Sequence, residues 1–140
     1  MSDKFLINKN LSAEEELLNL LLYNGIQFRG QDGEYRFVFS ENGKKWRTIC
    51  KCGGSTVMIY GLYPFEVEES LSAAHTVSEI NAKLAHGCLF VRDGKAAIRT
   101  SAGLFDAYCA YEMIARALEY NANAVMSFWD KLFMHRARLS

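Results

Sequence analysis

Residues 77–99 constrain the fold more than any other part of this sequence. Apolar residues recur at helical spacing up to Leu84, and Gly87 can adopt the left-handed conformation in which many helices end. Two short runs rich in apolar residues follow, separated by Asp93-Gly94, a dipeptide typical of a two-residue β-hairpin turn. The stretch therefore predicts a helix followed by a hairpin, and it contains no catalytic motif.

A first helix is predicted over residues 13–23. Ser12 and Glu15 match a capping box, in which each side chain satisfies a backbone donor of the first turn. A leucine stripe follows, and Asn24-Gly25 is expected to end the helix.

Three strands are predicted after this helix, because aromatic and polar residues alternate from Tyr35 onward. The turns at Asn42-Gly43 and Gly53-Gly54 are too short for parallel crossovers, so these strands form an antiparallel meander. The five strands predicted for the whole chain lie near residues 35–40, 46–51, 56–63, 88–92 and 96–100. Residues 26–29 are a further candidate for a short edge strand, and Pro64 is expected to end the third strand.

Two more helices are predicted near residues 71–85 and 104–120. A break is expected near Asn121 and Asn123, followed by a C-terminal helix or extension over residues 121–140. Asn81 lies beside the apolar stripe of the second helix and is expected to bond loose backbone groups between helix and hairpin.

The element order α-β-β-β-α-β-β-α predicts an α+β fold, an antiparallel five-stranded sheet with helices packed on one face. One domain is expected to span residues 1–140, with residues 1–11 as a flexible N-terminal segment.

Sixteen basic and sixteen acidic residues cancel, so no overall field attracts nucleic acid or anionic lipid. The N-terminus lacks the features of a signal peptide, and no apolar stretch approaches the roughly 20 residues needed to span a bilayer. The four cysteines of such a chain are expected to be reduced thiols. These features favour a cytoplasmic protein and argue against a membrane or nucleic-acid partner.

The element order, together with residues placed along it, resembles the YbjN-type family. The matching features within residues 12–133 are the aromatic strand ending at Trp46, the run VMIYGLYP, Ile80-Asn81, Gly87, Asp93-Gly94 and Ile98-Arg99. The family is described as one of candidate bacterial sensory-transduction regulators. Its fold is similar to that of class I type III secretion chaperones, small dimers that hold an unfolded stretch of a secreted protein. The resemblance implies this fold and no catalytic residue; such chaperones are commonly acidic, whereas this chain is neutral.

The first alternative function is a metal-binding or redox site at Cys50 and Cys52. A structural zinc site normally uses paired Cys-x-x-Cys spacings, whereas this chain has one Cys-x-Cys. His86, Cys88 and His75 could complete a site only if the fold brought them close, and His86 and Cys88 could mimic a base and a nucleophile. Half-buried thiols and a glycine helix cap explain these residues more simply. We therefore expect no metal, no cofactor and no catalytic residue.

The second alternative is a single-stranded nucleic-acid binder, because basic and aromatic residues interleave before Gly53. The basic residues are Arg29, Arg36, Lys44, Lys45, Arg47 and Lys51, and the aromatic ones are Phe28, Tyr35, Phe37 and Trp46. A solvated sheet face behind an aromatic core face is the simpler interpretation, since the net charge is zero.

The C-terminal region is apolar around more of its circumference than one sheet face can cover. It predicts either core or an interface with a second copy or a partner segment, for which Met and aromatic residues are well suited. The residues predicted at this interface are Tyr108, Tyr111, Val125, Met126, Phe128, Trp129, Leu132 and Phe133.

The function favoured by these features is a non-enzymatic protein-binding, chaperone-like or regulatory module. It is expected to act as a homodimer and to bind an extended or helical segment of a partner protein.

Overall fold

An antiparallel sheet and three helices make up the computed structural model, which describes residues 12–106 and 108–138. The helices are α1 (Ala13–Tyr23), α2 (Leu71–Lys83) and α3 (Ala110–Phe133). The strands are β1 (Arg29–Gln31), β2 (Glu34–Glu41), β3 (Lys44–Gly53), β4 (Thr56–Glu66), β5 (Cys88–Arg92) and β6 (Lys95–Gly103). They form one six-stranded sheet in the order β1-β2-β3-β4-β6-β5. No helix in the described part of the chain is long and apolar enough to cross a membrane.

Three of the tight turns have the backbone of a type I′ hairpin. Both central residues have positive φ at Asp32-Gly33 (52° and 77°), Asn42-Gly43 (51° and 76°) and Asp93-Gly94 (53° and 81°). Such turns match the right-handed twist of the strands that they join. The hairpin turns predicted at Asn42-Gly43 and Asp93-Gly94 are therefore confirmed, and the first of the three joins a strand that was not among the five.

Asn81 links α2 to the hairpin that follows it, as the sequence predicted. Its Nδ2 donates to Leu89 O at 2.9 Å, and its Oδ1 accepts from Leu89 N at 2.7 Å. Gly87 turns the chain between them with φ +76°, and a Cβ at this position would lie 2.1 Å from Arg99 O. A side chain at residue 87 would therefore force the hairpin away from the helix.

All three helices pack on one face of the sheet, and two groups of buried side chains lie between the layers. The first group includes Leu17, Phe37 and Ile114, and it lies under α1 and the first half of α3. The second includes Trp46 and Ile98, under α2 and the second half of α3. The predicted α+β class with helices on one face agrees with this arrangement.

The sheet has six strands rather than the five predicted. The additional strand β1 (Arg29–Gln31) overlaps the candidate edge strand at residues 26–29 by one residue, Arg29, and pairs with β2. Pro64 does not end β4, which continues to Glu66 because the register shifts between Leu62 and Glu66. A register shift of this kind tolerates proline, because it interrupts the regular backbone pairing.

Helix α3 also differs from the prediction. It begins at Ala110 rather than near Leu104, whose backbone N donates to Ser55 O at 2.7 Å and so stays with the sheet. It is not broken near Asn121 and Asn123, because the buried Asn121 amide finds hydrogen-bond acceptors on the sheet. The predicted flexible segment at residues 1–11 lies outside the described residues.

Candidate functional site

The face of the sheet opposite the helices, here called the open face, is uncovered by any described element. The strand registers define this face, because one row of directly paired residues crosses it from β2 to β5. The row consists of Arg36 on β2, Ile49 on β3, Tyr60 on β4, Arg99 on β6 and Cys88 on β5. Residues two positions away along each strand share this face, because side chains alternate along a strand.

An apolar stripe runs along β4 in the middle of the open face. It consists of Met58, Tyr60 and Leu62, each of which keeps part of its surface exposed. Ile49 on β3 and Phe90 on β5 are also partly exposed and extend the apolar surface sideways. The residues between the stripe positions, Val57, Ile59, Gly61 and Tyr63, are buried on the helix side.

Basic side chains border the apolar stripe on both sides. The strand on one side, β3, carries Lys45, Arg47 and Lys51 on this face. The strand on the other side, β6, carries Arg99 opposite Tyr60 and Lys95 beyond the end of the stripe, opposite Glu66. The outer strands add Arg29, Arg36 and Arg92, which makes eight basic residues on one face. We call the β3 and β6 residues the cationic rows.

Two of these cations lie over aromatic rings. Lys51 Nζ is 5.2 Å from the centre of the Tyr60 ring, and Arg99 Cζ is 5.8 Å from the centre of the Phe90 ring. The two rings meet edge to face, with centroids 6.4 Å apart. Such cation–π contacts hold the two cations against the rings, beside the apolar stripe.

The acidic residues of the open face lie at its margins. Glu34 forms ion pairs with Arg36 and with Lys51, the latter at 3.9 Å, and the hydrogen bond from Arg36 lowers the pKa of the Glu34 carboxyl. Glu66 lies opposite Lys95 beyond the irregularity in β4. The centre of the face, around Tyr60 and Arg99, has no carboxylate of its own in the described chain.

The open face is concave in two places. A groove of about 540 Å³ follows β4, β5 and β6 and is lined by Lys51, Tyr60, Cys88, Phe90 and Arg99, among others. A second, of about 750 Å³, lies towards β1 and includes Arg36, Val38, Arg47 and Ile49 in its lining. Apolar and cationic side chains both contribute to the lining of each groove.

The cysteines and histidines proposed for a metal or redox site are placed apart. Cys50 and Cys52 point to the helix side of β3, whereas Cys88 lies on the open face. Burial raises the pKa of Cys50 to about 12 and that of Cys52 to about 11, so both thiols favour the protonated form. Among the described residues, no three His, Cys, Asp or Glu side chains are grouped as metal ligands.

The two histidines considered for that site, His75 and His86, contact other residues. The ring of His86 packs against Tyr120 at 5.4 Å, and the backbone N of His86 donates to the Tyr120 hydroxyl at 3.0 Å. His75 lies 3.8 Å from Glu79, one turn further along α2. Neither contact brings a histidine to Cys50 or Cys52.

The basic and aromatic residues that suggested nucleic-acid binding lie on opposite faces of the sheet. Tyr35, Phe37 and Trp46 are buried beneath the helices, while most of the interleaved cations lie on the open face. Lys44 is on the helix side, 5.9 Å from the Trp129 ring. The aromatic rings that accompany the cations, Tyr60 and Phe90, were not part of that set.

The eight residues predicted at a C-terminal interface differ in their surroundings. Val125 and Leu132 are fully buried within the chain, and Trp129 packs against Trp46, Tyr63 and Phe65. Met126 and Phe128 are partly buried in the same region. Tyr108, Tyr111 and Phe133 are exposed to differing degrees, Tyr108 the most at 87%. Their role in an interface remains a prediction.

Sequence reasoning missed the apolar stripe with its two cationic rows. The signal was present in part, since Arg47, Ile49 and Lys51 alternate with buried residues along one strand. The second row lies about 50 residues further along the sequence, and the β4–β6 register brings it to the other side of the stripe.

No family model matches this sequence, and no curated protein does so either. Its structure is similar to that of YbjN from E. coli, a protein described as a candidate transcription regulator. The two chains share 16% sequence identity with a TM-score of 0.59, and the match covers 89% of this chain and 95% of YbjN. The chain therefore has a YbjN-type fold, as its sequence led us to expect.

Proposed function

We propose that this protein is a non-enzymatic module that binds a segment of a partner protein on the open face of its sheet. The observation that carries the proposal is the apolar stripe of Met58, Tyr60 and Leu62, which no described element of the chain covers. Apolar surface framed by charge is typical of protein interaction sites. The regulator description of YbjN is compatible with such a role.

The environments of Cys50 and Cys52 argue against a catalytic role for these two thiols. A catalytic cysteine acts as a thiolate, which requires a lowered pKa. Burial raises the pKa of both Cys50 and Cys52, as desolvation disfavours the thiolate. These residues therefore serve better as small apolar core residues than as nucleophiles or redox centres.

We also propose that the protein forms a homodimer. Three large side chains near one end of the helical layer are strongly exposed: Tyr23 at 84%, Phe105 at 75% and Tyr108 at 87%. The Tyr23 ring contacts that of Tyr111 at 6.2 Å, so the start of α3 and the end of α1 present aromatic surface together. Light scattering of the purified protein tests this assembly directly, and a monomeric mass over a wide concentration range would overturn it.

Site-specific photo-crosslinking tests the binding face. A photoreactive phenylalanine analogue replaces Tyr60 on the open face or, as a control, Arg116 on α3, whose side chain is 83% exposed. Cells of the source organism are irradiated, and crosslinked peptides are identified by mass spectrometry. We expect defined protein segments attached at position 60 and none at position 116. Crosslinks confined to position 116, or none at position 60, would refute the open face as the binding surface.

A further inference from the structure

We infer that the partner segment is an amphipathic α-helix whose apolar stripe is bordered on both sides by carboxylates. This inference rests on the proposed function and specifies the chemistry of the segment. It follows from the arrangement of Met58, Tyr60 and Leu62 between two cationic rows.

The width of the site fits a helix. The cationic rows lie on β3 and β6, which are the two neighbours of β4. Adjacent strands are about 4.8 Å apart, so the rows are separated by about 10 Å. An α-helix with its side chains is about 10–12 Å across, so a helix lying along β4 would place side chains from its two flanks over the two rows.

The length of the site is also that of a short helix. The apolar stripe spans four residue steps, from Met58 to Leu62, which corresponds to about 13 Å along a strand. A helix rises about 1.5 Å per residue, so about nine residues cover the stripe. Two to three turns of a partner helix would therefore cover the three side chains of the stripe, Met58, Tyr60 and Leu62.

An extended segment fits less well. Alternate side chains of a strand point in opposite directions, so it presents a single row towards the surface on which it lies. Such a row could contact the apolar stripe or one cationic row, but it could not place carboxylates on Arg47 and Arg99 at once. A helix presents apolar residues flanked on both sides by further residues.

Charge complementarity specifies the flanks as acidic. The centre of the open face carries Arg47 and Lys51 on one side and Arg99 on the other. Lys51 lies 3.9 Å from Glu34 at the margin, whereas neither Arg47 nor Arg99 forms an ion pair within the described residues. Carboxylates on the partner would pair with these cations, whereas lysines in the same places would be repelled.

Single-stranded nucleic acid could also bind such cations, but the aromatic rings of the open face are poorly placed to stack with bases. Binding of that kind relies on bases stacked on free aromatic faces. Lys51 lies over the Tyr60 ring, Arg99 lies over the Phe90 ring, and the two rings meet edge to face. The aliphatic residues Met58, Leu62 and Ile49 likewise suit side chains of a protein better than bases.

Fluorescence anisotropy with designed peptides tests the inference. The probe is a helix of about 18 residues, with a leucine stripe flanked on both sides by glutamates and a staple on its outer face. Matched peptides carry lysine or glutamine in place of glutamate, and another has a central proline that prevents the helix. A labelled oligo(dT) of about 15 nucleotides represents nucleic acid.

The protein variants are charge reversals of equal size. Arg47→Glu with Lys51→Glu changes one cationic row, and Arg116→Glu with Lys131→Glu makes the same change in net charge on α3. All four side chains are exposed, so the variants alter little of the core. If the open-face variant binds the lysine peptide more tightly than the native protein does, this gain would also show that the variant is folded.

We expect the glutamate peptide to bind the native protein at least about tenfold more tightly than the lysine peptide. The open-face reversal should weaken binding of the glutamate peptide by about tenfold or more and strengthen that of the lysine peptide. The α3 reversal should change either affinity by less than about twofold. If the open-face reversal fails to fold, the single reversal Arg99→Glu on the other side of the stripe replaces it, because that side chain is also exposed. An affinity for the glutamate peptide that Arg99→Glu leaves unchanged would overturn the acidic flanks.

The contrary outcomes separate the two proposals. Equal binding of the glutamine and glutamate peptides at the open face would overturn the acidic flanks and leave the binding face intact. Equal binding of the proline peptide would overturn the helix. Tighter, steeply salt-dependent binding of oligo(dT) would overturn the inference in favour of nucleic acid. Binding unaffected by the open-face reversal, together with no crosslink at Tyr60, would overturn the proposed function itself.

Discussion

At the scale of single residues, the buried amide of Asn121 is one of the polar contacts that fix the long helix to the sheet; the Tyr63 hydroxyl, which donates to Val125 O at 2.8 Å, is another. Its Nδ2 lies 3.0 Å from Ile98 O, 3.0 Å from Thr100 Oγ1 and 3.3 Å from Ile59 O. Gly61 makes room for this approach, because a Cβ there would lie 2.5 Å from Asn121 Oδ1. The amide therefore fixes how α3 sits across β4 and β6.

Replacing Asn121 with alanine should lower the free energy of unfolding by about 2 kcal/mol, because buried acceptors lose their donor and a small cavity remains. Asn123→Ala is the matched control, since Asn123 is exposed two residues further along the same helix. The control should be neutral or slightly stabilising, because alanine favours helix more than asparagine does. Urea denaturation measures both, and equal stabilities of the two variants would contradict the role of Asn121.

Of the asparagines Asn81 and Asn121, the sequence correctly predicted the contacts of Asn81 only. Asn81 sits just before a glycine cap and a hairpin, where loose backbone groups are expected, and its local contacts followed from that setting. Asn121 was interpreted as a helix break because its acceptors belong to strands that are 21 to 62 residues away in sequence. Propensity describes the local chain, whereas this contact depends on tertiary packing.

The buried thiol of Cys50 should make stability depend on alkaline pH. Its pKa is raised from 9.0 to about 12, mainly because burial disfavours the thiolate. A raised folded-state pKa gives stability that is fully present below pH 9 and is lost as the pH rises towards 12. The loss attributable to this thiol is at most about 1.4 kcal/mol per pH unit in that window.

The difference in unfolding free energy between the native protein and Cys50→Ala should therefore shrink between pH 9 and pH 11. Urea denaturation under reducing conditions measures this difference. Cys109→Ala is the control for removing a thiol as such, because Cys109 is exposed. A pH-independent difference for Cys50→Ala would show that the thiol ionises as readily in the folded state as in the unfolded state.

At the scale of elements, the second half of α3 is joined to the sheet by an aromatic cluster. The Trp129 ring lies 5.6 Å from the Tyr63 ring, 5.6 Å from the Phe65 ring and 6.1 Å from the Trp46 ring, between centroids. Periodicity correctly indicated that this part of the helix is apolar on several sides. It could not tell whether those sides meet the chain itself or another one, since both environments select the same residue types.

Trp129→Ala should lower the free energy of unfolding by about 3 kcal/mol, as expected for removal of a large ring from a packed cluster. Phe133→Ala serves as the control, because Phe133 is 41% exposed and should cost less. Denaturant unfolding gives the stabilities, and light scattering on the same samples gives the oligomeric state. A Trp129→Ala variant that keeps its stability but changes its mass would place this ring at an interface instead.

At the scale of the whole molecule, charge is segregated although the net charge is zero. Eight of the sixteen basic residues lie on the open face, while α1 begins with three consecutive glutamates and α3 carries further acids. The zero net charge of the sequence argued against an anionic partner. That argument failed to find the cationic face because net charge is a sum over the chain and does not depend on where the charges lie. Alternation within β3 contained part of the signal for one cationic row, which the sequence analysis interpreted as a solvated sheet face. The opposite row required the strand order β4-β6-β5, which a sequence pattern does not provide.

Segregation of this kind should be visible in ion-exchange behaviour. We expect the native protein to be retained on a cation exchanger at pH 7 and low salt, because a flat resin surface interacts with the nearest charged face rather than with the net charge. Arg47→Glu with Lys51→Glu should elute at much lower salt than Arg116→Glu with Lys131→Glu, although both variants have the same net charge. Cation-exchange chromatography of the three proteins measures this directly. Identical elution of the two variants would mean that the cations of the open face do not act together, and the electrostatic basis for an acidic partner would be lost with them.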